Sequence, residues 1–313
     1  MLRKIQKIGN SFYIALPINW IQEYNLKKGS EVRLEVRESG ELTILPMTED
    51  KREDKEVILE YEKSSIEKRI LGYYLFGYNI IKIIKEKGFS HEEREEIIRI
   101  VRKLSGLEIV DERMDLITLQ NLIDETSIHP FKLLFRMNAI TSTMYVDAVR
   151  SSLEGEKILN TIFERDEEVD RLYFLMVRQL RSLILRPALL NKLELTLLDC
   201  LDLRIAAHFI EKIGDEAARL AKIFAVRGTK LNPEFLKNVQ EVTFKLQNLQ
   251  EKILISFARK KGNFEDLKQE LLSELRKLDN MSQNISLEEV SIINAIKEII
   301  NFNIDIYDLI TSY

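Results

Sequence analysis

Two pairs of carboxylates, Asp166/Asp170 and Glu211/Asp215, are the residues of this chain whose type and spacing could bind a metal ion. Each pair is spaced four positions apart, so a helix would place both of its carboxylates on one face. If the two segments fold back on each other about a turn near residue 190, Asp166 comes level with Asp215 and Asp170 with Glu211. Four carboxylates at one place repel one another and raise one another's pKa unless a cation or solvent offsets their charge. Facing helices of a bundle hold metal ions through hard oxygen ligands of this kind.

The same spacing has a simpler explanation, in which the carboxylates line a solvated helix face. Charged residues make up 31% of the chain, so pairs four positions apart also arise by chance. Both facing pairs, Asp166 with Asp215 and Asp170 with Glu211, are centred on the same turn, and this agreement favours the metal site. Oxygen ligands suit magnesium, manganese, calcium or iron, and leave zinc without its usual Cys or His. His208 lies one turn before Glu211 and could join the site, although a histidine on a helix face is more often packed or solvated.

Two long helices are expected to position these carboxylates. Pro187 and the residues after it separate two segments with helical periodicity, and a short connection makes consecutive helices antiparallel neighbours. From Pro130 onward the whole pattern is helical, and it predicts two three-helix repeats, at residues 130–228 and 233–313. The second repeat lacks a matching set of four carboxylates. The six predicted helices span residues 130–153, 156–185, 193–225, 233–260, 264–280 and 287–312.

Residues 1–47 have a different pattern, which predicts four short strands and a short helix at residues 18–24. These elements are too small to bury a core alone, so we expect this domain to form a homodimer. Its basic and polar residues near the N-terminus could contact the phosphates and groove edges of double-stranded DNA, although three cations are also common on an ordinary surface. The candidate DNA-binding residues are Arg3, Lys4, Lys7, Asn10 and Ser11.

The chain between these two parts reads as a linker followed by a small connector domain. Residues 48–56 are a run of charges, which is typical of a linker. Residues 57–125 are predicted to form a small α+β connector. Ser90, with Glu93 three positions later, is a plausible N-terminal cap of its second helix. The connector's predicted elements are a strand at 57–61, helices at 65–87 and 91–104, and a hairpin at 107–110 and 116–119.

Composition narrows the class of protein. The chain has 313 residues, 45% of them hydrophobic, and a net charge of −4, which excludes a disordered chain and a uniformly basic one. Cys200 is the single cysteine, so no intrachain disulfide can form. No apolar stretch resembles a signal peptide or reaches the length of a transmembrane helix. We therefore expect a cytoplasmic protein with no membrane insertion and a mainly α fold, a helical bundle with a small N-terminal β domain and an α+β connector.

Residues 130–228 resemble the PhoU family of phosphate-uptake regulators. The resemblance rests on the segments ERDEEVDRL, from Glu164 to Leu172, and FIEKIGDEA, from Phe209 to Ala217, with LDLR just upstream of the second. In that family the acidic motifs hold metal clusters, typically of iron or zinc. The resemblance therefore implies a divalent or trivalent metal ion, with iron, zinc, manganese and magnesium all open, at Asp166, Asp170, Glu211 and Asp215. Residues 233–313 resemble a degenerate second copy, which implies one metal site rather than two.

Residues 1–47 resemble the SpoVT/AbrB swapped-hairpin DNA-binding family. The resemblance rests on the segment KIGNS from Lys7, on Leu16-Pro17, on LKKG from Leu26, and on the strand at residues 31–36; antitoxins of the MazE type share the GNS and the proline. It implies an intertwined dimer that binds DNA. Together the two parts resemble archaeal proteins that fuse this module to a PhoU domain.

These observations predict a DNA-binding transcriptional regulator of phosphate uptake with a metal-binding sensor domain. The alternative is a regulator that docks on a phosphate transporter or its signalling kinase and uses residues 1–47 mainly to dimerise. A metal-dependent hydrolase would need a general base or a phosphate clamp beside the carboxylates, and the sequence offers neither. We therefore expect no enzyme and assign no catalytic residue.

Overall fold

The chain divides into two compact units, residues 1–53 and 54–313. The computed structural model describes residues 2–36, 40–46, 55–124, 126–154, 156–227, 231–260, 264–281 and 285–310. Most of the predicted linker therefore lies outside the described residues. Helices dominate the described parts, with short strands confined to the first 121 residues, so the mainly α fold class is confirmed.

The first unit contains the four predicted strands and the short helix. The turn of the first hairpin uses Gly9, whose φ of +62° favours glycine. Leu26 is the one buried apolar side chain among residues 2–36 and 40–46, whereas Leu2, Phe12 and Val36 are 98%, 71% and 80% exposed. A single copy of this unit thus leaves its apolar side chains in water. Its elements are β1 (Gln6–Ile8) paired with β2 (Ser11–Tyr13), α1 (Ile18–Glu23), and β3 (Val32–Val36) paired with β4 (Leu42–Pro46).

The connector is a four-stranded sheet covered by two helices. The strand order is β5-β6-β8-β7, with β5 and β6 parallel and the other pairs antiparallel. Alternate residues such as Leu59, Ile81 and Leu119 are buried and form a core with the two helices. The elements are β5 (Glu56–Glu60), α2 (Ile66–Leu75), β6 (Ile80–Ile84), α3 (His91–Arg102), β7 (Leu107–Glu112) and β8 (Leu116–Asn121).

The predicted helix at residues 65–87 is wrong, because only its first half is helical. Helix α2 ends at Leu75, and Gly77, with a φ of +80°, turns the chain into strand β6. The isoleucine-rich run of β6 pairs on both sides, with β5 and β8, and β-branched residues suit such a central strand. The predicted cap of α3 is confirmed. The Glu93 amide donates to the Ser90 hydroxyl at 3.3 Å, and the Ser90 amide donates to the Glu93 carboxylate at 2.9 Å.

The remaining helices form one bundle with a common core. Helix α4 packs against α5, α7 and α8, and α10 packs against α7, α8 and α9, so the two predicted three-helix repeats share their apolar interior. None of the helices in the described ranges is both long and apolar enough to cross a membrane. The helices are α4 (Pro130–Glu154), α5 (Glu156–Leu185), α6 (Pro187–Lys192), α7 (Leu197–Arg227), α8 (Pro233–Arg259), α9 (Phe264–Met281) and α10 (Leu287–Ile310).

Helix α7 begins at Leu197 rather than at the predicted residue 193. The short helix α6 occupies part of the expected connection, and Thr196 then caps α7. The Asp199 amide donates to the Thr196 hydroxyl at 3.1 Å, and the Thr196 amide donates to the Asp199 carboxylate at 2.8 Å. This reciprocal pair fixes where α7 starts and so where its carboxylates come to lie.

Arg178 of α5 joins the bundle to the connector. Its side chain is buried, and its guanidinium donates to the carbonyl oxygens of Tyr74 at 2.7 Å and Tyr78 at 2.8 Å and to the Asn79 side-chain oxygen at 2.7 Å. The same guanidinium lies over the Tyr74 ring, 5.1 Å from its centroid. Helix α5 therefore carries both a predicted metal-binding motif and the contact that fixes the connector.

Candidate metal centre and nucleic-acid interface

Three of the four predicted carboxylates converge where α5 faces α7. Asp170 of α5 and Glu211 and Asp215 of α7 each offer an oxygen atom within 4.8 Å of the other two. These three residues form the acidic trio. Metal–oxygen distances are about 2.0–2.6 Å, so ligands on opposite sides of one ion lie up to about 5 Å apart. The spacing of the trio is thus compatible with oxygen ligation of a single cation.

Asp166 lies one turn from Asp170 and is not within that distance of the whole trio. One of its carboxylate oxygens lies 3.4 Å from the position that a Cβ atom on Gly214 would occupy, and a Thr141 methyl group lies equally close to that position. The space at residue 214, where α5, α7 and α4 meet, is therefore just enough for a Cβ atom. Asp166 therefore contributes its charge beside the trio, on the side of α4.

Burial and mutual repulsion shift the pKa values of these carboxyls upward. Burial, with repulsion from Asp215, raises the pKa of Glu211 to about 7. Burial, with repulsion from Asp170 and Asp215, raises the pKa of Asp166 to about 6. The pKa of Asp170 is raised by burial and by Asp215, against the opposing charges of Lys212 and Lys103. The site thus holds carboxylates that a cation would stabilise in their ionised form.

Lys212 supplies a counter-charge that the sequence analysis did not anticipate. Its ammonium nitrogen lies 2.7 Å from Asp215 Oδ2 and 3.4 Å from Glu211 Oε2. The signal was present in the sequence, because Lys212 lies between the two carboxylates and three positions from Asp215, within reach on a helix surface. A metal ion at the trio would compete with this ammonium group for the same oxygen atoms.

His208 places an imidazole nitrogen beside the acidic trio. Its Nδ1 lies 3.6 Å from Glu211 Oε2. Burial, Lys212 and Arg204 lower the pKa of His208, which favours the neutral imidazole that a metal ion requires. The donor set fits a hard cation held by oxygen, with one imidazole close enough to complete the ligation of a softer one.

In the second repeat, lysine side chains neutralise acidic residues of α9. Glu274 of α9 is buried, and the Lys245 and Lys277 ammonium groups each lie 2.9 Å from its Oε1. Lys245 also lies 3.6 Å from Glu270, four positions before Glu274. Asp305 of α10 is exposed. Within the described ranges, the acidic trio is the one group of three acidic, His or Cys side chains close enough to hold a metal ion.

The candidate DNA-binding residues are all exposed on the first hairpin and the residues before it. Lys7 lies on β1 opposite Phe12 of β2, with its ammonium nitrogen 5.9 Å from the ring centroid. Asn10 is in the turn and Ser11 begins β2. The five residues are Arg3, Lys4, Lys7, Asn10 and Ser11. This hairpin therefore presents cations and polar side chains to solvent, where a nucleic-acid backbone could meet them.

Two family models match separate parts of the chain. The family model for the PhoU domain matches residues 134–224, and the model for antidote-toxin recognition MazE, bacterial antitoxin, matches residues 5–56. None of the curated proteins matches the chain. The crystal structure of PhoU from Pseudomonas aeruginosa aligns with 16% sequence identity and a TM-score of 0.47, over 57% of this chain and 92% of that one. The chain thus joins an N-terminal segment that matches the MazE model to a helical segment that matches the PhoU model and carries the acidic trio.

Proposed function

We propose that this protein is a DNA-binding transcriptional regulator of phosphate uptake, in which the PhoU domain responds to a bound metal ion. The observation that carries the proposal is the presence of a MazE-type domain and a PhoU domain in one chain. The first supplies exposed cations on a hairpin, and the second supplies the acidic trio. A protein that only docks on a transporter or kinase would need the first domain for dimerisation alone.

The metal ion would be held by Asp170, Glu211 and Asp215, with Asp166 adding charge beside them. When bound, it supplies positive charge that joins α5 to α7. Metal binding also requires two changes in the protein. The carboxyls give up the protons that burial favours, and the Lys212 ammonium group leaves Glu211 and Asp215 and turns to solvent. Binding therefore couples the metal to the protonation and packing of this helix pair.

Helix α5 offers a route from the trio to the connector. Arg178 lies eight positions after Asp170, about 12 Å along the helix axis. Because its guanidinium is fixed by three oxygen atoms around the end of α2, a shift of α5 would move the connector as well. A change at the trio could therefore reach the connector through α5.

The exposed apolar residues of the first unit support a homodimer. Ile5, Phe12, Leu34 and Val36 are each more than half exposed in a single chain. Burial of such side chains stabilises by about 1.5–3 kcal/mol each, which favours pairing with a second copy. Sedimentation of the full chain at micromolar concentration should give a dimer, and a stable monomer would contradict this part of the proposal.

The DNA-binding claim is tested by titrating a fluorescent duplex with the full chain over a range of salt concentrations. Replacing Arg3, Lys4 and Lys7 with Ala should weaken binding at least tenfold and flatten the salt dependence, since each phosphate contact contributes a slope of about 0.9. The matched control replaces Lys27, Lys28 and Arg33, which are exposed cations of the same domain.

The control variant should bind as the wild type does. If both variants lose affinity equally, the interaction is a general effect of charge. If wild-type protein does not bind the duplex at all, the proposal fails and the regulator that docks on a transporter or kinase is favoured instead.

A further inference from the structure

A groove of about 1050 Å³ lies between the connector and the helical bundle. One wall is the end of α3 and the start of β7, and the other is α5. Asp170 lines this groove and is also a member of the acidic trio, so the candidate metal centre and the groove share a carboxylate. The groove is large enough for a ligand of drug or nucleotide size.

Five cations line the groove, and three of them have no acidic partner among the described residues. Arg99, Arg102 and Arg171 are exposed, and none of them forms an ion pair with a residue in the described part of the chain. Two further cations, Lys103 and Arg136, form ion pairs with Glu67 and Glu168 at the exposed rim. Exposed pairs of this kind are weak and can exchange their partner for a ligand.

The charge of the groove depends on whether the trio holds a metal ion. Glu164, Glu167 and Asp170 form an acidic stripe along α5, which opposes the cations of the other wall. A divalent metal ion at the trio would offset most of the negative charge at the acidic end of this stripe. Lys103, whose charge acts on Asp170, would then face less opposing charge there. Hard phosphoryl oxygens are the ligands that a carboxylate-bound hard cation commonly takes from small molecules.

We propose that this groove binds a small molecule with several phosphoryl groups, one of which reaches the metal ion at Asp170 while Arg102, Lys103 and Arg171 hold the others. The inference rests on the proposed metal binding by the trio. Guanidinium groups pair with phosphoryl oxygens through two parallel hydrogen bonds, and an ammonium group adds a point charge. Because the bare groove contains an acidic wall, binding of the phosphoryl compound requires the metal ion, and each ligand increases the affinity of the other.

The test is calorimetric titration of the full chain with inorganic phosphate, tripolyphosphate and ATP, each with manganese-loaded and chelated protein. Tripolyphosphate and ATP should bind the loaded protein at least tenfold more tightly than the chelated protein and more tightly than phosphate. Preference for ATP over tripolyphosphate would place a nucleoside in the groove, and equal binding would assign the affinity to the phosphoryl chain.

The groove variant is Arg102→Glu/Lys103→Glu, and the control is Lys68→Glu/Lys87→Glu, which reverses two exposed cations of the connector outside the groove. The groove variant should lose at least tenfold in affinity for tripolyphosphate, and the control should not. Elemental analysis after titration reports how much manganese each protein retains. Equal loss of manganese from wild type and groove variant, with equal heats, would mean that the probe only strips the metal, and it would overturn the inference.

The two proposals fail differently. Wild-type protein that binds no manganese would overturn the metal-binding proposal and this inference together. Protein that binds manganese but not the phosphoryl probes would overturn this inference alone. A groove that instead binds an acidic peptide, with no dependence on manganese, would also contradict it.

Discussion

The ammonium nitrogen of Lys212 lies 2.7 Å from a carboxylate oxygen of Asp215, so the acidic trio already carries a counter-charge from its own chain. A metal ion must displace this group and overcome its repulsion. Replacing Lys212 with Gln should therefore raise the affinity for manganese about two- to fivefold, in keeping with the weakness of a partly exposed ion pair. Calorimetric titration measures the change, with Lys237→Gln on α8 as an exposed control. Unchanged or weaker manganese binding in the Lys212 variant would show that this lysine does not compete with metal.

Gly214 should tolerate alanine but not a larger residue. A Cβ atom there would lie 3.4 Å from both Asp166 Oδ1 and the Thr141 methyl group, which is an ordinary contact. Gly214→Ala should change the free energy of unfolding by less than about 1 kcal/mol, because the higher helix propensity of alanine offsets the closer contact. Gly214→Leu should cost about 1–3 kcal/mol through overpacking and should displace Asp166. Urea unfolding of both variants measures this, and equal stability of the two would mean that the helices do not meet closely at this residue.

Metal-free protein should become less stable as the pH rises from about 4.5 to about 7. Folding raises the pKa of Glu211 from 4.5 to about 7, so over this range the folded state binds more protons than the unfolded state. Asp166, with its pKa raised from 3.8 to about 6, acts in the same direction. The lowered pKa of His208 has the opposite effect on stability. The folded state favours the neutral imidazole, so this group makes the protein more stable as the pH rises.

Thermal melting of wild type and Glu211→Gln in the presence of chelator isolates the contribution of Glu211. The wild-type midpoint should fall more steeply with pH than the midpoint of the variant. Manganese should flatten the wild-type profile, because the ligating carboxylates are then ionised in the folded state. Parallel profiles for wild type and variant without metal would show that the pKa of Glu211 is not raised by folding.

Arg178 should be essential for the attachment of the connector. Arg178→Met would leave the carbonyl groups of Tyr74 and Tyr78 and the Asn79 side chain without their buried donor, at a cost of about 1–3 kcal/mol for each unsatisfied acceptor. Arg181→Met on the same helix is the matched control. Its guanidinium lies 4.7 Å from the Phe76 ring centroid, and its loss should cost about 0.5–1 kcal/mol. Hydrogen exchange should show faster opening of α2 and β6 in the first variant only, and equal protection in both would contradict this role.

The sequence predicted the carboxylate site more closely than it predicted its surroundings. Helical spacing and the position of the turn suffice to bring Asp170 level with Glu211, because both follow from the regular rise of two antiparallel helices. The same spacing predicted Asp166 level with Asp215, whereas in the structure it is Asp170 that lies close to Asp215. The cap of α3 could also be predicted from the sequence, because it depends only on Ser90 and Glu93, which are three positions apart. Asp166 departs from the simple expectation because the close approach at Gly214 places it towards α4.

Two other features depended on tertiary contacts that spacing does not encode. The isoleucine run at residues 80–84 suits either a buried helix or a central strand, and only its pairing with β5 and β8 decides between them. Arg178 is one of four arginines of α5, and its residue type alone does not separate it from Arg171, which is exposed. The groove likewise arises from elements that are 60 or more residues apart, such as the end of α3 and the middle of α5.

The metal content of the purified full chain tests the central claim most directly. Elemental analysis should find at least one metal ion per wild-type chain, and far less in Asp170→Asn/Glu211→Gln, which keeps the size of both side chains and removes two charges. A wild-type chain that contains no metal ion, even after incubation with iron, manganese, zinc or magnesium, would contradict the account. The acidic trio would then be a group of carboxylates neutralised by Lys212 alone.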